Sequence, residues 1–194
     1  MTKRFPVFVF VSLIAAAIPV QAQTSNKAQS AEAQWFGTLE NGVYHHNLTG
    51  IEFALPTDWV IASQAPASQR GAQVLKLKNS ISNEVATVWL KRRNADPADI
   101  QPLMSGRLDD KTIQRNNFQG YKYRTESVQH TTIGGRPALT AVADYVSTGQ
   151  KMVEYVTWVD GEKSRVVFVG RVPASELADF QARFDPVIQS VVVP

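Results

Sequence analysis

The sequence predicts an α+β fold in which an antiparallel sheet of about six to seven strands is layered between helices. Three observations carry this expectation. From Thr132 to Val172 a glycine turn leads into three apolar strands joined by tight turns. Both faces of those strands are apolar, so both should be covered. Two other stretches, Pro97 to Asn117 and the segment after Ala174, carry apolar residues at helical spacing.

The chain has 194 residues, 20 basic and 17 acidic, and no cysteine. It opens with Lys3 and Arg4, an apolar run from Phe5 to Val20, and a small-residue ending at Val20-Gln21-Ala22. These are the three parts of a secretory signal peptide over residues 1–22, with cleavage expected between Ala22 and Gln23. The run is shorter than the ~20 residues of a spanning helix, and Pro6 and Pro19 interrupt it, so no stable membrane insertion is expected after cleavage. Removing Lys3 and Arg4 leaves 18 basic against 17 acidic residues, a balance of +1. A near-neutral chain whose one tight basic run is Lys91-Arg92-Arg93 offers no electrostatic case for nucleic acid. The absence of cysteine excludes disulfides, thiol catalysis and Cys-ligated metals.

Residues 23–42 read as a flexible leader of Gln, Ser, Ala and Asn, with Trp35-Phe36 its main apolar content. Residues 43–194 form one domain, long enough to bury about 70% of the unfolded chain's surface. Val43 to Asn47 is extended, and Ile51 to Leu55 is a strand stopped by Pro56-Thr57-Asp58. Pro56 enforces an extended residue before it, so the chain turns and delivers Trp59 onto the core. Ser63 to Gly71 reads as a polar loop. Ala72 to Lys78 and Glu84 to Arg92 make a hairpin.

Asp96, or Asn94, before Pro97 is a helix start, because an acceptor side chain precedes a proline whose missing donor costs nothing there. Ile100, Leu103, Met104 and Leu108 then form one apolar stripe. Tyr121 to Thr132 reads as one long polar strand with a wet face or an edge position.

Gly134-Gly135 and then Pro137 open the meander. Its first turn is placed at Gly149-Gln150 and its second at Asp160-Gly161. With Thr148 facing Lys151, one face bears Leu139, Ala141, Ala143, Tyr145, Met152, Glu154, Val156 and Trp158. The other bears Val142, Val146, Val153, Tyr155, Val159 and Phe168. That register sets Asp144 beside Tyr155 and Glu154 beside Tyr145. In the closing helix Leu177, Phe180, Phe184, Val187 and Ile188 face the core, and Asp185-Pro186 predicts a kink or a restart.

Few residues carry chemistry. His45 and His46 are adjacent on a strand and point to opposite faces, and no metal-ligand spacing is present. Gly134-Gly135 lacks the repeated glycines of a dinucleotide loop, so no cofactor is implied. Asp144 and Glu154 are carboxylates in apolar strands and need partners if buried, for which Arg165, Arg171 or Tyr145 serve. Trp158 sits where Lys163 or Arg165 would give a cation-π pair. Asp144, Glu154, Arg165 and Trp158 are therefore the candidate binding residues. Pro56, Trp59, Gly134, Gly135, Pro137, Asp160 and Gly161 are structural.

Three stretches resemble the PsbP-like proteins, whose fold is shared with the yeast protein Mog and the envelope lipoprotein DcrB. They are Gly50-Ile51-Glu52-Phe53-Ala54-Leu55-Pro56-Thr57-Asp58-Trp59, Ile133-Gly134-Gly135-Arg136-Pro137-Ala138 and Phe184-Asp185-Pro186-Val187-Ile188-Gln189-Ser190. The resemblance implies an α-β-α sandwich and a largely non-enzymatic role as an extrinsic subunit, adaptor or envelope factor. It carries over no catalytic residue, and the lipid-bearing cysteine of DcrB is absent here. The expectation is an exported, non-catalytic protein of the periplasm or exterior, without cofactor, whose partner is another envelope protein. A small-ligand carrier or sensor is the alternative, and an envelope hydrolase the third reading.

Overall fold

A computed structural model describes residues 37–66, 72–92 and 118–194. The expected signal segment, Trp35-Phe36 and the helix expected over Pro97 to Asn117 lie outside the described residues. Eleven strands and one α-helix are described. A small antiparallel sheet comprises β1 (Thr38–Glu40), β2 (Val43–His45) and β3 (Glu52–Ala54). The main sheet contains β4 (Trp59–Pro66), β5 (Ala72–Asn79), β6 (Val85–Arg92), β7 (Gln119–Tyr123), β8 (Gln129–Ile133), β9 (Arg136–Ser147), β10 (Gln150–Asp160) and β11 (Ser164–Pro173). Its order is β4-β5-β6-β11-β10-β9-β7, with β8 also paired to β9. All pairings are antiparallel. The helix, α1 (Leu177–Gln189), follows β11 through a 3-10 turn at Ala174–Glu176.

Several expectations are corrected. The main sheet has eight strands, and among the described residues a single helix covers one of its faces, so a sandwich between helices is not what these residues form. Thr38–Glu40, read as leader, is a strand because Asn41 and Gly42 (φ 51° and 78°) make a tight hairpin turn to β2. The loop read from Ser63 is strand as far as Pro66. Its small polar residues hide the signal, but pairing to β5 supplies the ladder. The single strand from Tyr121 is two, because a 3-10 turn at Thr125–Ser127 separates β7 from β8, and each pairs with a different half of the long β9.

The first meander turn is Thr148-Gly149 (φ 50° and 80°), with Ser147 opposite Gln150. The true register differs from the predicted one by two residues. Because side chains alternate with period two, both faces keep the predicted residues while the neighbours change. Tyr155 lies opposite Val142, and Tyr145 opposite Met152. At Asp160-Gly161 the chain does turn, but Gly161 is required for space: a Cβ there would lie 2.2 Å from the Pro194 carbonyl oxygen. Pro186 sits inside a continuous helix. The helix does not restart at this point, and Asp185 accepts from Tyr155 in place of capping.

One face of the main sheet, the helix face, carries the larger core. Phe180, Phe184, Val187 and Ile188 of α1 pack with Trp59, Phe168, Tyr155 and the small sheet's Tyr44 and Phe53. Phe180 lies so close to Gly170 that a Cβ there would meet its ring at 2.2 Å. The tail closes this core. Val192 pairs with Glu52, Arg136 Nε donates to the Val193 carbonyl at 2.9 Å, and Glu162 N donates to the Pro194 carbonyl at 3.1 Å. The other face, the outer face, holds a second cluster that includes Phe118, Tyr121, Tyr123, Tyr145, Val156 and Val167.

Candidate functional site

Glu154 projects from the middle of β10 onto the outer face, between Ala143 of β9 and Arg171 of β11. It is 3% exposed. Burying a carboxylate is costly unless its oxygens are satisfied, and here each one is. The Tyr121 hydroxyl donates to Oε1 at 2.7 Å, and Arg171 Nε donates to Oε2 at 2.7 Å. Arg171 in turn lies 5.2 Å over the ring of Phe118, which packs on Tyr145 with centroids 4.3 Å apart. Burial, followed by the Glu154 charge, drives the Tyr121 phenol far above its ordinary range. Burial pushes Tyr123 up to about 12 and also raises Tyr145. These phenols stay protonated; Tyr121 donates to Glu154, and Tyr123 and Tyr145 pack in the same cluster.

The other sequence candidates are dispersed. Asp144 faces the helix side of the sheet, is exposed, and is held by Arg124 Nε and Nη2 at 2.9 and 2.7 Å, which lowers its carboxyl below the usual range. Arg165 is buried against Asp160, with Nη2 to Oδ2 at 3.1 Å and Nε on Oδ1. Trp158 lies on the outer face between Leu139 and Val167, and its buried Nε1 has no hydrogen-bond partner. The predicted cation-π pair at Trp158 is replaced by two others, Lys91 over Trp89 at 5.9 Å and Arg171 over Phe118. Of the three partners offered for a buried carboxylate, Arg171 is the one that meets Glu154. Asp144, Arg165 and Trp158 do not converge with them.

The histidines are used locally. His45 pairs with Glu52 at 2.9 Å, while buried His46 contacts Thr49 Oγ1 at 2.5 Å. No group of three or more potential metal ligands occurs among the described residues. No described helix is long and apolar enough to cross a membrane.

A different feature was missed by sequence reasoning. Val60, Ile81 and Val85 are 45%, 80% and 46% exposed, and the strand register puts them at the same corner of the main sheet. Val60 and Val85 flank Lys78 in one cross-strand row on the outer face. Ile81 sits on the β5–β6 loop, which buried Asn79 builds: its Oδ1 accepts from the backbone of Ile81 and Ser82 at 2.9 and 3.0 Å, and its Nδ2 donates to Asp58 at 2.8 Å. An ordered loop therefore holds an aliphatic side chain out in water. Glu84, at the end of the same loop, is buried and tied to Arg183 of α1. The available signal was Ile81 itself, a lone apolar residue in the polar run Asn79 to Asn83.

This architecture, an antiparallel main sheet with a small sheet and a C-terminal helix on one face, is the PsbP-like fold. The solution structure of the cyanobacterial PsbP protein, CyanoP, from Synechocystis sp. PCC 6803 matches 78% of this chain and 91% of its own at a TM-score of 0.56 and 12% identity. LpqN of Mycobacterium tuberculosis, described as involved in cell envelope biogenesis, matches 74% of this chain and 83% of its own at a TM-score of 0.47 and 16% identity. No family model and no curated protein matches the sequence.

Proposed function

We propose that this chain is an exported, non-catalytic accessory protein of the cell envelope that works by binding another protein, and that the Val60, Ile81, Val85 corner is where it binds. The observation that carries this reading is the exposure of three aliphatic side chains on a scaffold of fixed hydrogen bonds. Exposed aliphatics at one end of neighbouring strands, here interleaved with Lys78, suit a protein interface of mixed apolar and charged character. The engagement of Glu154, Asp144 and Arg165 in internal pairs supports contact over reaction, and it leaves a small-ligand carrier without its expected polar anchor. Export is supported by the charged start, apolar run and Val20-Gln21-Ala22 ending.

A photo-crosslinking residue placed at Val60 or Val85 should give one discrete protein adduct in the producing cells, and the same residue at Thr131, on the far edge, should give none. Adducts at all three positions, or at none, would overturn the reading. Amino-terminal sequencing of the protein recovered from the envelope fraction tests export, with Gln23 expected first.

A further inference from the structure

From the free edge of the main sheet we infer the form and charge of the partner: an extended segment that adds to β4 as a new strand and presents acidic side chains to Lys76 and Lys78. This inference rests on the binding reading above. Among the described residues β4 pairs only with β5, so its outer edge offers main-chain donors and acceptors for strand addition. Natural edges are commonly protected by lysine or another charge. β4 has none along Trp59–Pro66; a bulge that leaves Ala62 unpaired and the terminal Pro66 are its only irregularities.

The charge lies one strand further in. Lys78 is opposite Val60 and Lys76 opposite Ser63, and both lysines are exposed with no ion-pair partner among the described residues. An added strand would lie about 4.8 Å outside β4. The small side chain at Ser63 lets the Lys76 stem lean across to it, while the Lys78 stem reaches past Val60. Acidic residues spaced two apart would then meet Lys76 and Lys78. The residues between them would point to the other side of the sheet, where Ile61 is part-buried beside the main core, and this favours aliphatics there.

The probe is a synthetic eight-residue peptide alternating Val and Glu, compared with its Val and Lys counterpart. The expected result is amide chemical-shift changes confined to Trp59–Ala65 and their β5 partners, with the Glu peptide binding on the order of tenfold tighter. A K76E/K78E double variant should reverse the preference, which also shows that it is folded. Equal binding of the two peptides, no binding, shifts along β8, or self-association through β4 without peptide would each overturn the inference. A crosslinked adduct at Val85 with no peptide response at β4 would sink strand addition alone. The absence of adducts would sink the binding reading as well.

Discussion

The Tyr121 hydroxyl and the Glu154 carboxylate meet at 2.7 Å inside the outer-face cluster, joining β7 to β10 across the intervening β9. Arg171 closes the arrangement from β11 on the other side. Three strands of the sheet therefore contribute to one buried charge.

That arrangement makes the two partners of Glu154 unequal in mutation. R171M leaves a buried carboxylate with one donor, whereas E154Q removes the charge and leaves Arg171, whose side chain is 42% exposed, in contact with water. The expected losses in urea unfolding are about 3 kcal/mol for R171M and about 1 kcal/mol for E154Q. Equal losses would show that the carboxylate is not the group at risk.

Asp185 gives a pH signature. Burial raises its carboxyl above the ordinary range, and the Tyr155 hydrogen bond only partly opposes this. The folded state therefore holds the proton more tightly than the unfolded chain does. Stability from this group is complete below the unfolded value of about 4 and declines as pH rises through the folded value. D185N keeps an oxygen acceptor for Tyr155 and should remove that decline in melting temperature measured against pH.

Glu84 behaves in the opposite sense. The Arg183 hydrogen bond holds its carboxyl below the usual range, so its contribution is present above the unfolded value and is lost as pH falls through the folded one. R183M should therefore lose most stability near neutral pH and converge on the parent in acid. A difference that persists unchanged in acid would mean that Arg183 acts through packing alone.

Adjacent glycines separate conformation from space. Gly134 and Gly135 have φ of 57° and 75°, but a Cβ on Gly134 would lie 2.4 Å from the Val191 carbonyl oxygen, while one on Gly135 meets nothing within 4 Å. G135A should cost about 1 kcal/mol of left-handed strain. G134A adds a collision worth about another 1 to 3 kcal/mol. Thermal unfolding that ranks them the other way would contradict the placement of the tail.

The meander was legible because β-branched and aromatic residues fill Leu139 to Val169 and because glycine marks its turns. Face assignment survived a two-residue register error, since only an odd shift moves side chains across the sheet. β4 was not legible: Ala62, Ser63, Gln64 and Ala65 carry little strand preference, and their order comes from pairing with β5. At the candidate site, sequence singled out Glu154 because a charge in an apolar strand demands a counter-charge, but left Arg165, Arg171 and Tyr145 open as its partner; the register of β10 and β11 selects Arg171. It missed the exposed corner because Val60 and Val85 look like any other strand valines until the edge of the sheet is known. Arg124 as the partner of Asp144 was likewise hidden, since it depends on the break between β7 and β8.

The tail that pins Glu52, Gly134 and Glu162 sets the order in which the molecule can be completed. Val187, Ile188, Val191 and Val193 share a core with Ile51 and Phe53, so that core cannot seal until segments more than a hundred residues apart have met. Contacts so distant along the chain form slowly because the loop between them must first be closed. The core therefore stays open until Val187 to Val193 have docked.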